Sequence, residues 1–158
     1  MPIPAAVVTV SDRSARGERD DASGPVAVAA LREAGYACES AVVVADGIES
    51  VEAALRQAAA SGARIVVTTG GTGLGPRDLT PEGTARVVER TLPGIAEELR
   101  RRGTEDTPAA LLSRGLAGIA GGALIVNLPG SPRAVASGMP LIVALARHVV
   151  EQLDGGDH

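Results

Sequence analysis

Arg64-Ile65-Val66-Val67-Thr68-Thr69-Gly70-Gly71-Thr72-Gly73-Leu74-Gly75-Pro76-Arg77-Asp78-Leu79-Thr80-Pro81-Glu82 carries three structural instructions in succession. Ile65-Val66-Val67 is an unbroken apolar, β-branched run, which suits a strand buried on both faces. Thr80-Pro81 is a helix start, with a capping hydroxyl and then proline at the first helical position. Between them lie Gly70, Gly71, Gly73 and Gly75. Glycine lets the backbone approach a ligand closely and adopt positive φ. Successive N–H groups in such a turn can converge on an anion, and Thr72 adds a hydroxyl donor. The alternative reading is a tight strand-to-helix turn with no ligand.

The same alternation extends outward in both directions. Ala5–Val10 reads as a buried strand, followed by a polar stretch from Ser11 to Ser23 and a helix over Pro25–Ala34 that stops at Gly35. Ala41–Val44 is the next strand, and Glu49–Ala60 a helix stopped by Gly62. Beyond the glycine loop, the pattern predicts a helix to about Arg90, another over Pro93–Gly103, and a third over Ala109–Arg114 behind Thr107-Pro108. A short strand at Ile119 and a buried strand over Ala123–Val126 follow, then a loop from Asn127 to Pro132. An Ala/Val/Leu-rich helical region closes the chain, with a break or bend expected near Gly138 and Pro140. Strands alternating with helices predict an α/β three-layer sandwich, a mostly parallel sheet with helices on both faces. The organisation reads as one domain over residues 1–153 and a frayed tail over 154–158.

Composition removes several function classes. The 158 residues are 45% hydrophobic, enough for a core, yet contain no Trp, no Phe and one Tyr, Tyr36. Stacking on aromatic rings is therefore a poor means of holding nucleobases or single-stranded nucleic acid here. The net charge is −4, and all 15 basic residues are arginines, which removes a P-loop lysine and a Schiff-base lysine together. Arg100-Arg101-Arg102 reads as a solvated helix end, since a nucleic-acid surface needs a wider basic patch. Cys38 is alone, so neither an internal disulfide nor a cysteine metal cluster is available. His148, in an apolar helical stretch, reads as a packing or surface residue, and His158 is terminal. No signal-peptide pattern opens the chain, and no long uncharged apolar run is seen. The expectation is a cytoplasmic protein with neither nucleic acid nor membrane as partner.

In open α/β sheets, ligands bind at the carboxyl ends of the strands. That rule makes neighbours of Ser11-Asp12-Arg13, Asp46, Thr68–Asp78 and Asn127–Ser131. The loop spacing is not the dinucleotide fingerprint, so a phosphate must be held by amides, hydroxyls, arginine or a metal ion. Asp46 and Asp78 are acids facing that cradle, and such a pair can hold Mg²⁺, which bridges phosphate oxygens. Each also has a plain reading, Asp46-Gly47 as a turn dipeptide and Asp78 as a turn or cap residue. Gly130 and Ser131, an N–H and a hydroxyl at a helix start, suit a second phosphate or carboxylate. A well-capped turn is the alternative there.

These residues resemble the molybdopterin adenylyltransferase family of Mog- and MoaB-type proteins and the gephyrin G domain. Thr69-Gly70-Gly71-Thr72-Gly73, Arg77-Asp78-Leu79-Thr80-Pro81-Glu82 and Asn127-Leu128-Pro129-Gly130-Ser131-Pro132 carry the likeness. Ser11-Asp12-Arg13, Val44-Ala45-Asp46 and Leu112-Ser113-Arg114 extend it over nearly the whole chain, with Ala45 departing from a common proline. The resemblance implies a homotrimer that transfers AMP from Mg-ATP to the terminal phosphate of molybdopterin and releases pyrophosphate. A molybdenum-insertion partner then receives the product. It implies Asp46 and Asp78 as the essential acids and metal ligands. The pterin side is implied at Thr72, Ser113, Asn127, Pro129, Gly130 and Ser131, the nucleotide side at Ser11, Asp46, Gly70, Gly71 and Gly73. Two rivals share the fold: a pterin-binding trimer without catalysis, and a nucleotide hydrolase of the related competence-protein domain. Thr72 and the single Asp78 depart from the latter, whose loop typically reads Gly-Gly-Leu-Gly-Pro before paired aspartates.

Overall fold

The computed structural model describes residues 1–157; His158 lies outside the described residues. The all-apolar run of the quoted stretch forms strand β4 (Ile65–Thr69), every residue of it buried. It sits in the middle of the sheet, between β1 (Pro4–Val10) and β7 (Ala123–Leu128), parallel to both. β1 also pairs in parallel with two short strands, β2 (Ala37–Cys38) and β3 (Val42–Val44). On the other side β6 (Ala117–Ala120) runs antiparallel to β7, and β5 (Arg90–Thr91) antiparallel to β6. The sheet is therefore seven-stranded and mixed, parallel through its centre.

Alternate residues of the central strands feed two cores, as the period of a strand requires. Val7, Ile65, Val67, Leu124 and Val126 point into one. There they meet α2 (Ser23–Glu33), α5 (Pro93–Gly103) and α6 (Pro132–Leu153). Val8, Val10, Val66 and Ile125 point into the other, against Val51 and Leu55 of α3 (Ile48–Ala60). A short helix α4 (Thr80–Ala85) packs beside α3, with Gly83 tight against the Ile48 carbonyl and Val51. This is the expected three-layer sandwich, and its aromatic-poor core is filled by branched aliphatics.

Four local expectations are corrected. A one-turn helix, α1 (Asp12–Ala15), stands inside the polar stretch and is capped by the Ser11 hydroxyl, which accepts from the Ser14 N–H at 3.2 Å. The helix expected to reach Arg90 ends at Ala85. Pairing with β6 takes over there, with the Glu89 N–H donating to Ile119 O at 2.8 Å and the Leu92 N–H to Ala117 O at 2.8 Å. The segment expected as a helix over Ala109–Arg114 is a 3-10 turn over Pro108–Leu112. Finally, α6 runs unbroken from Pro132 to Leu153 with Pro140 inside it, so the expected break does not occur. Gly138 serves close packing instead, since a β-carbon there would lie 2.8 Å from a Leu128 methyl.

By length and composition alone α6 is apolar enough to cross a membrane, where the sequence reading saw no such run. Val135, Met139, Ile142, Ala146 and Val150, spaced three and four apart, are its buried stripe against α2 and β7. Beyond it, Arg64 donates to Asp154 at 2.8 Å and the Gly156 N–H to Glu151 O at 2.9 Å.

Candidate active site

Because β1, β3, β4 and β7 are mutually parallel, their carboxyl ends share one edge of the sheet. A cleft of about 1160 Å³ opens there. Ser11, Asp46, Gly70, Gly71, Thr72, Gly73, Asp78, Ser113, Asn127, Pro129, Gly130 and Ser131 all line it. Among the described residues no His, Cys or Lys does.

The floor is the glycine turn. Gly70 and Gly71 have φ of 94° and 69°, the left-handed region closed to most side chains. Space forbids a side chain as well. A β-carbon at Gly70 would lie 2.3 Å from Val10 O, and one at Gly71 would lie 2.2 Å from the Thr80 hydroxyl. Gly70 donates its N–H to Leu128 O at 2.9 Å, so the amides left for a ligand begin at Gly71. Thr80 was expected to cap its helix. Its buried hydroxyl instead donates to Gly70 O at 2.9 Å and its N–H to Gly71 O at 3.0 Å, which sews the turn to α4.

Asp46 enters from the end of β3. Its carboxylate accepts the Asp12 N–H at 2.8 Å, and the Asp12 carboxylate accepts the Asp46 N–H at 3.1 Å. Arg77 grips Asp12 with two bonds of 3.0 Å and also donates to Asp46 O at 2.9 Å. Burial pushes the Asp46 carboxyl above its ordinary value against the opposing hydrogen bond from Asp12, and the charges of Asp12 and Asp78 add to the rise. The Arg77 hydrogen bond holds Asp12 below its own. Asp78 is a turn residue and a cleft residue at once: it accepts the Gly75 N–H at 2.9 Å and lines the cleft. Oxygen-only donors with like charges close enough to oppose ionisation fit a hard divalent cation that takes further ligands from phosphate and water. Among the described residues no three His, Cys, Asp or Glu side chains form a ready-made metal cluster.

The far wall is built by β7, α6 and the segment before β6. Asn127 lies within β7, not in a loop. Its side chain is committed inward, donating to the Thr68 and Thr84 hydroxyls at 2.9 and 3.0 Å and accepting the Leu116 N–H at 3.0 Å. Gly130 packs over Gly70, where a β-carbon would lie 3.2 Å from the Gly70 α-carbon. Ser131 caps α6, accepting the Ala134 N–H at 3.1 Å, and its own O–H remains a donor. The Ser113 hydroxyl accepts the Gly115 N–H at 3.3 Å.

Three arginines gain roles the sequence reading did not give them. Arg100 leaves the expected solvated cluster: it donates to Ser113 O and Gly115 O at 3.2 and 3.1 Å and lines the cleft. Arg101 and Arg102 keep the expected role, pairing with Glu98, whose carboxyl they hold down to about 2. Arg77 ties the glycine loop to Asp12, and Arg114 reaches across to Gly73, Asp78 and Glu82. Arg77 and Arg114 stand in the runs that carry the family likeness, but nothing local in the sequence showed which groups they bind.

Residues 6–148 match the family model described as a probable molybdopterin binding domain. The molybdopterin adenylyltransferase of Pyrococcus furiosus is 39% identical over 150 residues, 92% of this chain and 88% of that protein. A molybdenum cofactor biosynthesis bifunctional protein of Synechococcus elongatus is 41% identical over 98% of this chain, which spans only 48% of that relative's length. The crystal structure of a molybdopterin biosynthesis protein from Mycobacterium abscessus superposes with a TM-score of 0.91 at 42% identity, covering 96% of both chains. With the match running from the first strand into the last helix, the chain belongs to the family of probable molybdopterin-binding domains.

Proposed function

We propose that this chain acts in molybdenum cofactor biosynthesis as a nucleotidyltransferase, moving AMP from Mg-ATP to the terminal phosphate of molybdopterin. The observation that carries the reading is the two-ended cleft. An acid pair and free loop amides meet at one end, hydroxyls and a helix start at the other, and among the described residues no His, Cys or Lys lines the cleft between them.

The pterin phosphate is itself the nucleophile. Its oxygen forms a bond to the α-phosphorus as the bond from that phosphorus to the bridging oxygen breaks, and pyrophosphate leaves with the electron pair. The amides of Gly71, Thr72 and Gly73 hold phosphate oxygens, and Ser131 and Ser113 hold the pterin end, so the reaction gains by positioning and charge complementarity. Asp46 and Asp78 would hold Mg²⁺, which when bound neutralises charge on the triphosphate. Ser11 borders the nucleotide end.

We infer further that the chain is a cytoplasmic homotrimer whose product passes to a molybdenum-insertion protein. The family likeness supports the trimer, and the longer bifunctional relatives support a partner of that kind. The deciding experiment incubates the chain with ATP, Mg²⁺ and molybdopterin and measures pyrophosphate. One pyrophosphate per adenylylated pterin is expected. Pterin binding with no pyrophosphate would replace this reading with a non-catalytic binding trimer, and hydrolysis of ADP-ribose or nicotinamide mononucleotide would replace it with a hydrolase.

A further inference from the structure

Between Gly73 and Asp78 the chain is a solvent-facing bridge: Leu74, Gly75, Pro76 and Arg77 are all exposed. Its internal bonds join only Gly75 and Asp78 to each other, by the Gly75 N–H on the Asp78 carboxylate and the Asp78 N–H on Gly75 O at 3.0 Å. Those bonds shape the turn without fixing where it sits over the cleft. Two arginines do that. Arg77 anchors to Asp12 from within the turn, and Arg114 anchors it from outside.

Arg114 makes a fork. Its Nε donates to Gly73 O at 2.9 Å and its Nη2 to Asp78 O at 2.6 Å, the two ends of the bridge. Its backbone N–H donates to Thr72 O at 2.9 Å. The Glu82 carboxylate, in the first turn of α4, takes Nη1 and thereby fixes the plane of the guanidinium. The preceding residue, Ser113, also lines the cleft, so Arg114 joins the glycine loop directly to a segment assigned to the pterin.

We propose that Arg114 is a positioning residue that sets Asp78 at a fixed distance from the pterin wall and acts on transfer through Asp78. The inference rests on the adenylyl-transfer reading above. The Arg114–Glu82 pair is more than a third exposed on both sides, so as an ion pair it adds little stability. Its value is geometric: a planar guanidinium satisfies two carbonyls in fixed directions, which a lysine ammonium cannot reproduce.

The test is Arg114→Lys, alone and combined with Asp78→Asn. Arg114→Lys is expected to keep its melting temperature and its molybdopterin affinity while single-turnover transfer slows by about 10–100-fold, the scale of a misplacement near 1 Å. The Mg²⁺ concentration for half-maximal transfer is expected to rise. Because the effect runs through Asp78, the double variant is expected to be no slower than Asp78→Asn alone. Wild-type turnover, additive losses in the double variant, or a parallel fall in stability and pterin affinity would each overturn the proposal. A readout independent of activity separates it from the functional reading. Hydrogen exchange at the Gly75 and Asp78 amides is expected to speed up at least about tenfold in Arg114→Lys, with Ile65–Thr69 unchanged. If wild type releases no pyrophosphate, adenylyl transfer fails; if exchange at those two amides is unaltered, Arg114 positioning fails.

Discussion

Asp12 and Asp46 hold each other by their backbones, each carboxylate accepting the other's N–H, at 2.8 Å in one direction and 3.1 Å in the other. The fold thus fastens the end of β1 to the end of β3 with the same groups that give the cleft its charge. Arg77 hydrogen-bonds the carboxylate of only one of the two, holding Asp12 low, while burial pushes Asp46 up against the weaker pull of the Arg77 charge.

The pH dependence of stability follows. A raised folded-state pKa favours neutral Asp46, so its contribution is complete below its ordinary value of 3.8 and is lost as pH rises through the raised one. Asp12 runs the other way, contributing above its ordinary value and losing that contribution as pH falls through the lowered one. Asp46→Asn, which cannot ionise yet can still accept the Asp12 N–H, is expected to melt roughly 1–3 °C above wild type at pH 7. The advantage should vanish below about pH 4. Differential scanning calorimetry across that range checks both the sign and the convergence.

Asp78→Asn separates the turn role from the charge role. An amide oxygen can still accept the Gly75 N–H, so the loop should keep its shape. Loss of a charged group at the transition state costs on the order of 10²–10³ in rate. Pterin titration is expected to be unchanged and single-turnover adenylylation to collapse. Full turnover in this variant would reduce Asp78 to a turn residue.

Gly70→Ala tests the turn itself. The new methyl group would meet the Val10 carbonyl at 2.3 Å from a φ of 94°. Conformational strain of this kind costs about 1–3 kcal/mol, with the steric clash in addition. Urea denaturation should show the midpoint falling and the slope retained. The same substitution at Gly94, where a β-carbon has nothing within 4 Å, should be tolerated.

Ser131→Asp distinguishes the cap from the pocket. Aspartate caps a helix as well as serine, so α6 should keep its stability. A negative charge beside the proposed pterin phosphate should weaken molybdopterin binding at least about tenfold through like-charge repulsion and leave ATP binding nearly intact. Isothermal titration with each ligand checks it; a fall in ATP affinity first would reverse the two ends of the cleft.

What could be read from the chain was whatever depends on neighbours in sequence. β4 announced itself because burial on both faces leaves an unbroken Ile65-Val66-Val67 run, and Gly70-Gly71 because positive φ demands glycine. The helix after Thr80 was overextended because its end is decided by β6, some thirty residues downstream, which draws Glu89–Leu92 into an edge strand. In the site, the acids and glycines were visible as residue types at strand ends. The partners of the arginines were not, since the bonds from Arg77 to Asp12 and from Arg114 to Glu82 join positions 65 and 32 residues apart. Asn127 shows a second case: it lines the cleft, but that its amide also bonds two threonine hydroxyls inside the fold depends on positions 59 and 43 residues away.

Helix α6 starts at the cleft with Ser131 as its cap and runs 22 residues before Asp154 meets Arg64, the residue that enters β4 at the opposite edge of the sheet. At 1.5 Å per residue it carries the chain about 33 Å away from the ligand-facing edge. A surface tether or fluorophore attached after Leu153 would therefore hang from the back of the molecule, leaving the mouth of the cleft unobstructed for immobilised binding measurements.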